Sequence, residues 1–335
     1  MWRPIYPLYV AYYLKSTDYF KLIAAMRWVR EHHHKGYLTL VYDMLYSSCK
    51  YAISFEDYYW YRFFELAEAA RRTYAGTGVC HRFFSQMNDR RHIAVFRSKA
   101  LFYKRFHNLM GRKSLFLRET SPTTFADWIS ERPLVVIKPD KGSGGHGIEF
   151  VDTTKRQPAE IYATLLRKGQ DIIEEPIRQH EALEKMNPSC VNTIRVITVC
   201  TKTQIDIIGT VLKLGLGGSK VDNMNSGGIA TAIDQATGRL LHPAISISIW
   251  APQYELHPDT KTPIPGFQVP MWNSVLELAR RAASVVPAVR TVGWDIAVTS
   301  AGAILVEGND NWGAAFWQKS TGKGQIAVLR RYADV

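Results

Sequence analysis

The sequence predicts an α+β fold in which a mostly helical N-terminal region precedes two lobes built on antiparallel strands. Three observations carry that expectation. Apolar residues recur at helical spacing before residue 95, short runs of β-branched and aliphatic residues alternate with turn residues from residue 134 onward, and four glycines in six positions stand between two of those runs. A chain of 335 residues can bury a substantial core and divide into two or three lobes. The expected divisions are 1–95 for the helical region, 96–178 for the lobe with the glycine-rich segment and 179–335 for the lobe with the last strands.

In the helical third, residues 18–35 predict a helix with Asp18 as N-cap and Gly36 as stop. His32, His33 and His34 follow one another, so on a helix they point apart and do not converge on one metal ion. Residues 54–74 (SFEDYYWYRFFELAEAARRTY) predict a single aromatic amphipathic helix opened by a capping box from Ser54 to Asp57. Residues 1–14 (MWRPIYPLYVAYYL) are too few to span a bilayer, and their docking on the protein's own core is favoured over contact with a membrane surface.

Strands are expected at 134–138, 171–174, 191–200 and 205–214, with helices at 153–168 and, between Pro270 and Pro287, at 271–286. The first strand runs into PDKGSGGHG, where Lys141, Gly142, Ser143, Gly144, Gly145, His146 and Gly147 form a loop before the next strand begins at Ile148. Glycines let backbone N–H groups cradle an oxyanion because no Cβ stands in the way. The spacing is neither GxxxxGK[ST] nor a strand-to-helix GxGxxG, which leaves a flap closing over a triphosphate or a plain glycine-rich hairpin. Near the end of the chain, residues 292–299 (VGWDIAVT) and 303–309 (AILVEGN) predict a hairpin turning at 300–302. Centred on Ala301, that turn sets Asp295 opposite Glu307, with Asn309 on the same face as Glu307. Facing carboxylates repel unless a cation or donor stands between them, and these oxygen ligands suit Mg²⁺.

Composition narrows the partners. Residues 1–130 hold 20 Lys and Arg against 10 Asp and Glu, whereas residues 131–335 hold 22 against 20, so the first part carries most of the net +12. That excess suits an anionic partner such as a nucleotide sugar, an acidic glycan or a membrane surface. No basic run is interleaved with aromatics, which argues against nucleic acid. Cys49, Cys80, Cys190 and Cys200 lack CxxC or Cys/His spacing and are expected as reduced thiols of a cytoplasmic protein.

In their order, these motifs resemble the ATP-grasp superfamily over roughly residues 99–317, and within it the sugar-transfer-associated ATP-grasp family found with polysaccharide-biosynthesis genes. Ser98-Lys99 matches the pair that opens the nucleotide-binding part, and Lys138-Pro139 precedes the flap. Ile173-Glu174-Glu175-Pro176-Ile177 matches the adenine hinge, with Gln179, His180 or Glu181 where a ribose contact is expected. Asn192-Thr193-Ile194-Arg195 matches a Ser-x-Asn-Thr-x-Arg strand, Lys213 a basic position on the next strand, and Asn223 to Gly228 an Asn and Gly-Gly segment in which Asn223 or Asn225 enters the site. The resemblance implies an ATP-grasp fold whose two lobes grip ATP. It implies nucleotide binding by Lys99, Lys138, Lys141, the flap, Glu174, Glu175, Ile177 and Glu181, one or two Mg²⁺ (or Mn²⁺) on Asp295, Glu307 and Asn309, and catalysis by Arg195, Lys213 and Asn223. It further implies a carboxylate–amine ligase acting on small-molecule or sugar-linked substrates through an acyl phosphate. The alternatives are a kinase phosphorylating a hydroxyl and a nucleotide-binding scaffold without turnover.

Overall fold

A computed structural model describes residues 6–142 and 144–335; for residues 6–8 and 225 it describes the backbone alone. Two antiparallel sheets organise the chain. The smaller has the order β1-β4-β2-β3, from Ser114–Phe116 (β1), Leu134–Lys138 (β2), Glu149–Asp152 (β3) and Ile172–Glu174 (β4). The larger has the order β10-β9-β5-β6-β7-β8, from Ile194–Cys200 (β5), Ile205–Leu214 (β6), Ile229–Ala232 (β7), Ile245–Ser246 (β8), Thr291–Thr299 (β9) and Gly302–Asn309 (β10).

The alternation of side chains along a strand gives each sheet two characters. In the small sheet, Val135, Ile137 and Ile173 pack against the helices Pro122–Ser130 and Pro158–Arg167, while Val136, Lys138 and Glu174 face the other lobe. The large sheet is covered on both faces. Trp272–Val285 and Lys99–Met110 pack against one face, around Trp294. Thr77–Met87 packs against the other with Trp312 and Trp317.

The N-terminal region is helical as expected, with helices at Tyr6–Ser16, Tyr19–His33 and Tyr37–Tyr51. Asp18 caps the second, accepting from the backbone of Phe20 and Lys21. Its stop is His34, in the left-handed conformation at φ 53°, and Gly36 instead leads into the next helix. The long helix expected at 54–74 does not form. The Ser54–Asp57 capping box is present, yet the helix covers only Phe55–Trp60, Arg62 turns left-handed, and a second short piece follows at Glu68–Arg71. Tyr58, Tyr59, Tyr61, Phe63 and Phe64 are all buried in one aromatic cluster. A straight helix offers the core a single stripe, so burying five aromatics in seven residues requires the chain to unwind.

Gln318 ties this region to the end of the chain. Its fully buried amide donates to Tyr61 Oη and Ala75 O, both at 2.8 Å, and accepts from the N–H groups of Ala75 and Gln325. Among the described residues no helix is long and apolar enough to cross a membrane. Trp2, part of the segment considered for membrane contact, lies outside the described residues.

Candidate active site

A cavity of about 160 Å³ opens where the two sheets face each other. From the small sheet come Lys138 at the end of β2 and Glu174 at the end of β4, which pair directly, while Arg112 Nε donates to Glu174 Oε2 at 3.0 Å. All three are nearly or fully buried. Burial, and then the like charge of Arg112, bring the Lys138 ammonium down to about 7.

The flap closes the cavity from above, with Gly142, Gly144, Gly145 and His146 lining it. Gly145 has φ +80° and abuts Val221 of the other lobe so closely that a Cβ would come within 2.5 Å of Val221 Cγ1, so both conformation and contact demand glycine there. Ser226 Oγ donates to Gly144 O at 3.2 Å, a second contact across the gap. Gly147 lies at the flap's base, its carbonyl accepting from Gln170. Ser143 is outside the described residues. Lys141 lines a different cavity on the outer side of the flap.

Lys99 reaches the cavity because Asp140 holds its segment down. Asp140 Oδ1 accepts from Ser98 Oγ and Ala100 N, both at 2.8 Å, and the Lys99 ammonium donates to Gly142 O at 2.8 Å. The sequence reading passed over Asp140, although an Asp between a strand and a glycine run is a common turn anchor.

The large sheet brings the acids. Glu307 pairs with Asp295 across β9 and β10 as expected, though not through a turn centred on Ala301: Thr299 pairs with Gly302, and a bulge between Leu305 and Glu307 brings the two acids opposite each other. The cations that the facing acids call for include two side chains, both on Asp295. Arg195, opposite Asp295 on β5, donates Nε to Asp295 Oδ1 at 2.5 Å and Nη2 to Oδ2 at 2.8 Å, and Lys213 donates to Oδ2 at 2.9 Å. Burial alone would raise Asp295, but Arg195 and then Lys213 hold its carboxyl well below the usual carboxylate range. Glu307 opens onto the cavity, and among the described residues no Lys or Arg pairs with it; burial, and then the charge of Asp295, push it up. Asn309 donates to Glu307 Oε1 at 3.2 Å.

Among the described residues no group of three or more His, Cys, Asp or Glu side chains is placed to hold a metal ion; the expected trio draws its third donor from an amide. Its chemistry fits a hard cation all the same. A carboxyl raised by a neighbouring carboxylate is a site where added positive charge is favourable, and Asp, Glu and Asn oxygens are the donors Mg²⁺ takes.

The sequence model of the sugar-transfer associated ATP-grasp family matches residues 79–333. The chain belongs to that family. No curated protein matches it. Among solved structures it is similar to an ADP complex of N5-carboxyaminoimidazole ribonucleotide synthetase, at 11% identity and TM-score 0.42 over 65% of this chain and 45% of the other. It is similar to the ATP-grasp ligase PsnB with minimal precursor, Mg and ADP, at 16% and 0.41 over 81% and 70%, and to D-alanyl-alanine synthetase A from Vibrio cholerae, at 13% and 0.41 over 71% and 64%. The chain thus spans less than half the length of the first of these.

In this ATP-grasp chain the remaining expected positions divide. Ile177 and Asn223 line the cavity. Glu175 does not, since its carboxylate accepts from Arg132 Nε at 3.0 Å and from Lys113 N at 2.9 Å. Gln179 is a structural amide, donating to Asn187 O and Cys190 O and accepting from Asn192. His180 caps Glu181–Met186 by accepting from Ala182 N, and Glu181 is exposed outside the cavity lining. Two charged cavity residues escaped the sequence reading. Lys220 is one. Asp222 is the other: buried, it accepts from the backbone and hydroxyl of Thr193 at 2.8 and 2.5 Å and lies 3.6 Å from the Lys213 ammonium. Its place in the glycine-rich stretch 214–228 hid it, because such stretches read as loops without partners.

Proposed function

We propose that the protein is an ATP- and Mg²⁺-dependent carboxylate–amine ligase working through an acyl phosphate, with residues 96–178 and 179–335 as the gripping lobes and 1–95 as an accessory helical region. The observation that carries this reading is the cavity itself, in which Lys99, Lys138, Lys213 and Lys220 and the flap face the Asp295–Glu307 pair.

Lys99 and Lys138 set ammonium charges against the nucleotide's α- and β-phosphates, and the flap amides hold the outer ones. Glu307, Asn309 and the Asp295 carboxylate are the residues that would hold Mg²⁺, and the bound ion would supply charge neutralisation at the phosphates. A substrate carboxylate oxygen attacks that phosphorus, the bond to the bridging oxygen breaks, and ADP departs. An amine then attacks the acyl carbon, loses a proton and expels phosphate. Lys213, lining the cavity, offsets charge on the transferred phosphoryl group. Arg195, committed to Asp295 and the Trp312 carbonyl, is a positioning residue. Asn223, beside the flap, orients the outer phosphate.

Thermal melting with and without Mg²⁺-ATP tests the reading. A ligand at about 100 times its Kd adds roughly 2.7 kcal/mol, and Glu307→Gln should lose most of that gain. Turnover in hydroxylamine should release phosphate and an acyl hydroxamate. A stable phosphoester with ADP would replace the ligase by a kinase, and the absence of any Mg²⁺-ATP stabilisation would leave the scaffold.

A further inference from the structure

Among the described residues, ten of the eighteen large apolar side chains that stay exposed fall within residues 12–46, and the other eight are spread over residues 101–271. The helix Tyr37–Tyr51 shows the anomaly most clearly. A surface helix ordinarily turns an apolar stripe inward and a polar one outward. Here Leu40, Met44 and Tyr51 are buried in the N-terminal aromatic cluster. Leu38, Val41, Tyr42 and Tyr46 follow one another at spacings of three and four on the opposite side and stand in solvent, Leu38 at 88% exposure and Tyr42 at 71%. The only charged residue between Leu38 and Cys49 is Asp43, and Arg71 takes it at 2.5 Å. The helix is apolar on both sides and buries one.

The helix Tyr19–His33, which packs against it, continues the pattern and adds charge. Phe20, at 91% exposure, and Ile23 begin its outward stripe, and Arg27 and Arg30 end it. Residues 6–51 hold Lys15, Lys21, Arg27, Arg30, Lys35 and Lys50 against Asp18, Glu31 and Asp43. Glu68 pairs with Lys50 as Arg71 pairs with Asp43, which leaves five cations and two acids on these helices and their connections.

We propose that this helical face docks on an anionic lipid bilayer, with Phe20 and Leu38 entering the boundary between headgroups and acyl chains, Tyr42 and Tyr46 at headgroup level, and the cations meeting lipid phosphates. Tyrosine, apolar in body and polar at its tip, suits that depth, and helices whose aromatic and aliphatic faces are bordered by Lys and Arg bind in the plane of the surface. A negative surface also supplies the charge these helices lack. A second copy of the chain suits the face less, since a twofold contact would bring two equally basic rims together. Docking leaves the nucleotide cavity clear, because none of its described lining residues belongs to these helices. The assignment stands apart from the ligase reading and survives its failure.

Cosedimentation of the full chain with large vesicles is the test, comparing phosphatidylcholine alone with equal parts of phosphatidylcholine and phosphatidylglycerol. The protein should partition onto the anionic vesicles about tenfold more strongly than onto the neutral ones, and added salt should weaken it. Phe20→Gln combined with Leu38→Gln should lower that binding by about tenfold or more, with thermal melting unchanged because both side chains are exposed. The assignment is overturned if anionic vesicles do not pellet the protein, if neutral vesicles bind it equally, or if the double substitution leaves binding as it was. It is overturned as well if the wild type dimerises in sedimentation velocity and the double substitution makes it a monomer, which gives the face to a second copy.

Discussion

Each lobe buries one carboxylate between two cations, and the two arrangements differ in what surrounds them. In the small sheet, Glu174 sits between Arg112 and Lys138. In the large sheet, Asp295 sits between Arg195 and Lys213, but Glu307 stands across the ladder and Asp222 lies 3.6 Å from Lys213. The first cluster has cations in excess and the second has acids in excess. Facing each other across one cavity, they would, on the proposed function, divide the binding of a metal–phosphate complex, the small lobe attracting the anion and the large lobe the cation.

That comparison breaks most sharply in the small lobe. Glu174→Leu leaves Arg112 and Lys138 buried without their counter-ion, and chemical denaturation should show a loss of about 3–5 kcal/mol. A loss under about 1 kcal/mol would mean that the small-lobe cluster is not an obligate ion pair. In the large lobe the corresponding effect falls on chemistry. Lys213→Met should lower kcat by about 10²–10³, or roughly 2.7–4 kcal/mol, with a smaller change in the KM for ATP. An unchanged kcat would move phosphoryl stabilisation onto another cation.

The smallest effect concerns pH. The Lys138 ammonium is depressed to about 7 in the nucleotide-free protein, and arriving phosphates raise it again. Above pH 7 binding must therefore take up a proton, so affinity falls with rising pH by at most about 1.4 kcal/mol per unit, until pH passes the raised value in the complex. Calorimetry in two buffers of different ionisation enthalpy, near pH 8, reads that proton directly; Lys138→Met should abolish the uptake. For folding the sign follows from the same depression. The buried ammonium costs stability fully below pH 7, and the cost is relieved as pH climbs from 7 toward the 10.5 of a free lysine.

Much of this was legible in the residues. The Asp295–Glu307 pair is expected, but from a turn centred on Ala301; the turn found sets Thr299 opposite Gly302, which alone would bring Val306 to Asp295, and the bulge between Leu305 and Glu307 restores the expected pair. Strands β2 and β6 fall where the apolar runs put them. Local rules failed where a distant partner decides. Glu175 looks like its neighbour Glu174, yet Arg132 and Lys113 turn it away. The three-residue shortening of the strand expected to begin at Val191 traces to Asn192 and Thr193, whose polar groups are taken by Gln179 and Asp222. The broken helix after Ser54 answers to an aromatic cluster assembled from several segments, which no window of periodicity contains.

Gln318 carries one more consequence, for the order of events as the chain is made. The backbone N–H and C=O of Ala75 leave the ribosome early, but their partner amide lies 243 residues further along. Domains ordinarily fold as they emerge, first-made first, and contacts of such separation form late. Here the backbone of Ala75 cannot gain its buried partner until Gln318 has been made. The segment around Ala75 should accordingly be late to finish, and in need of shielding while it waits.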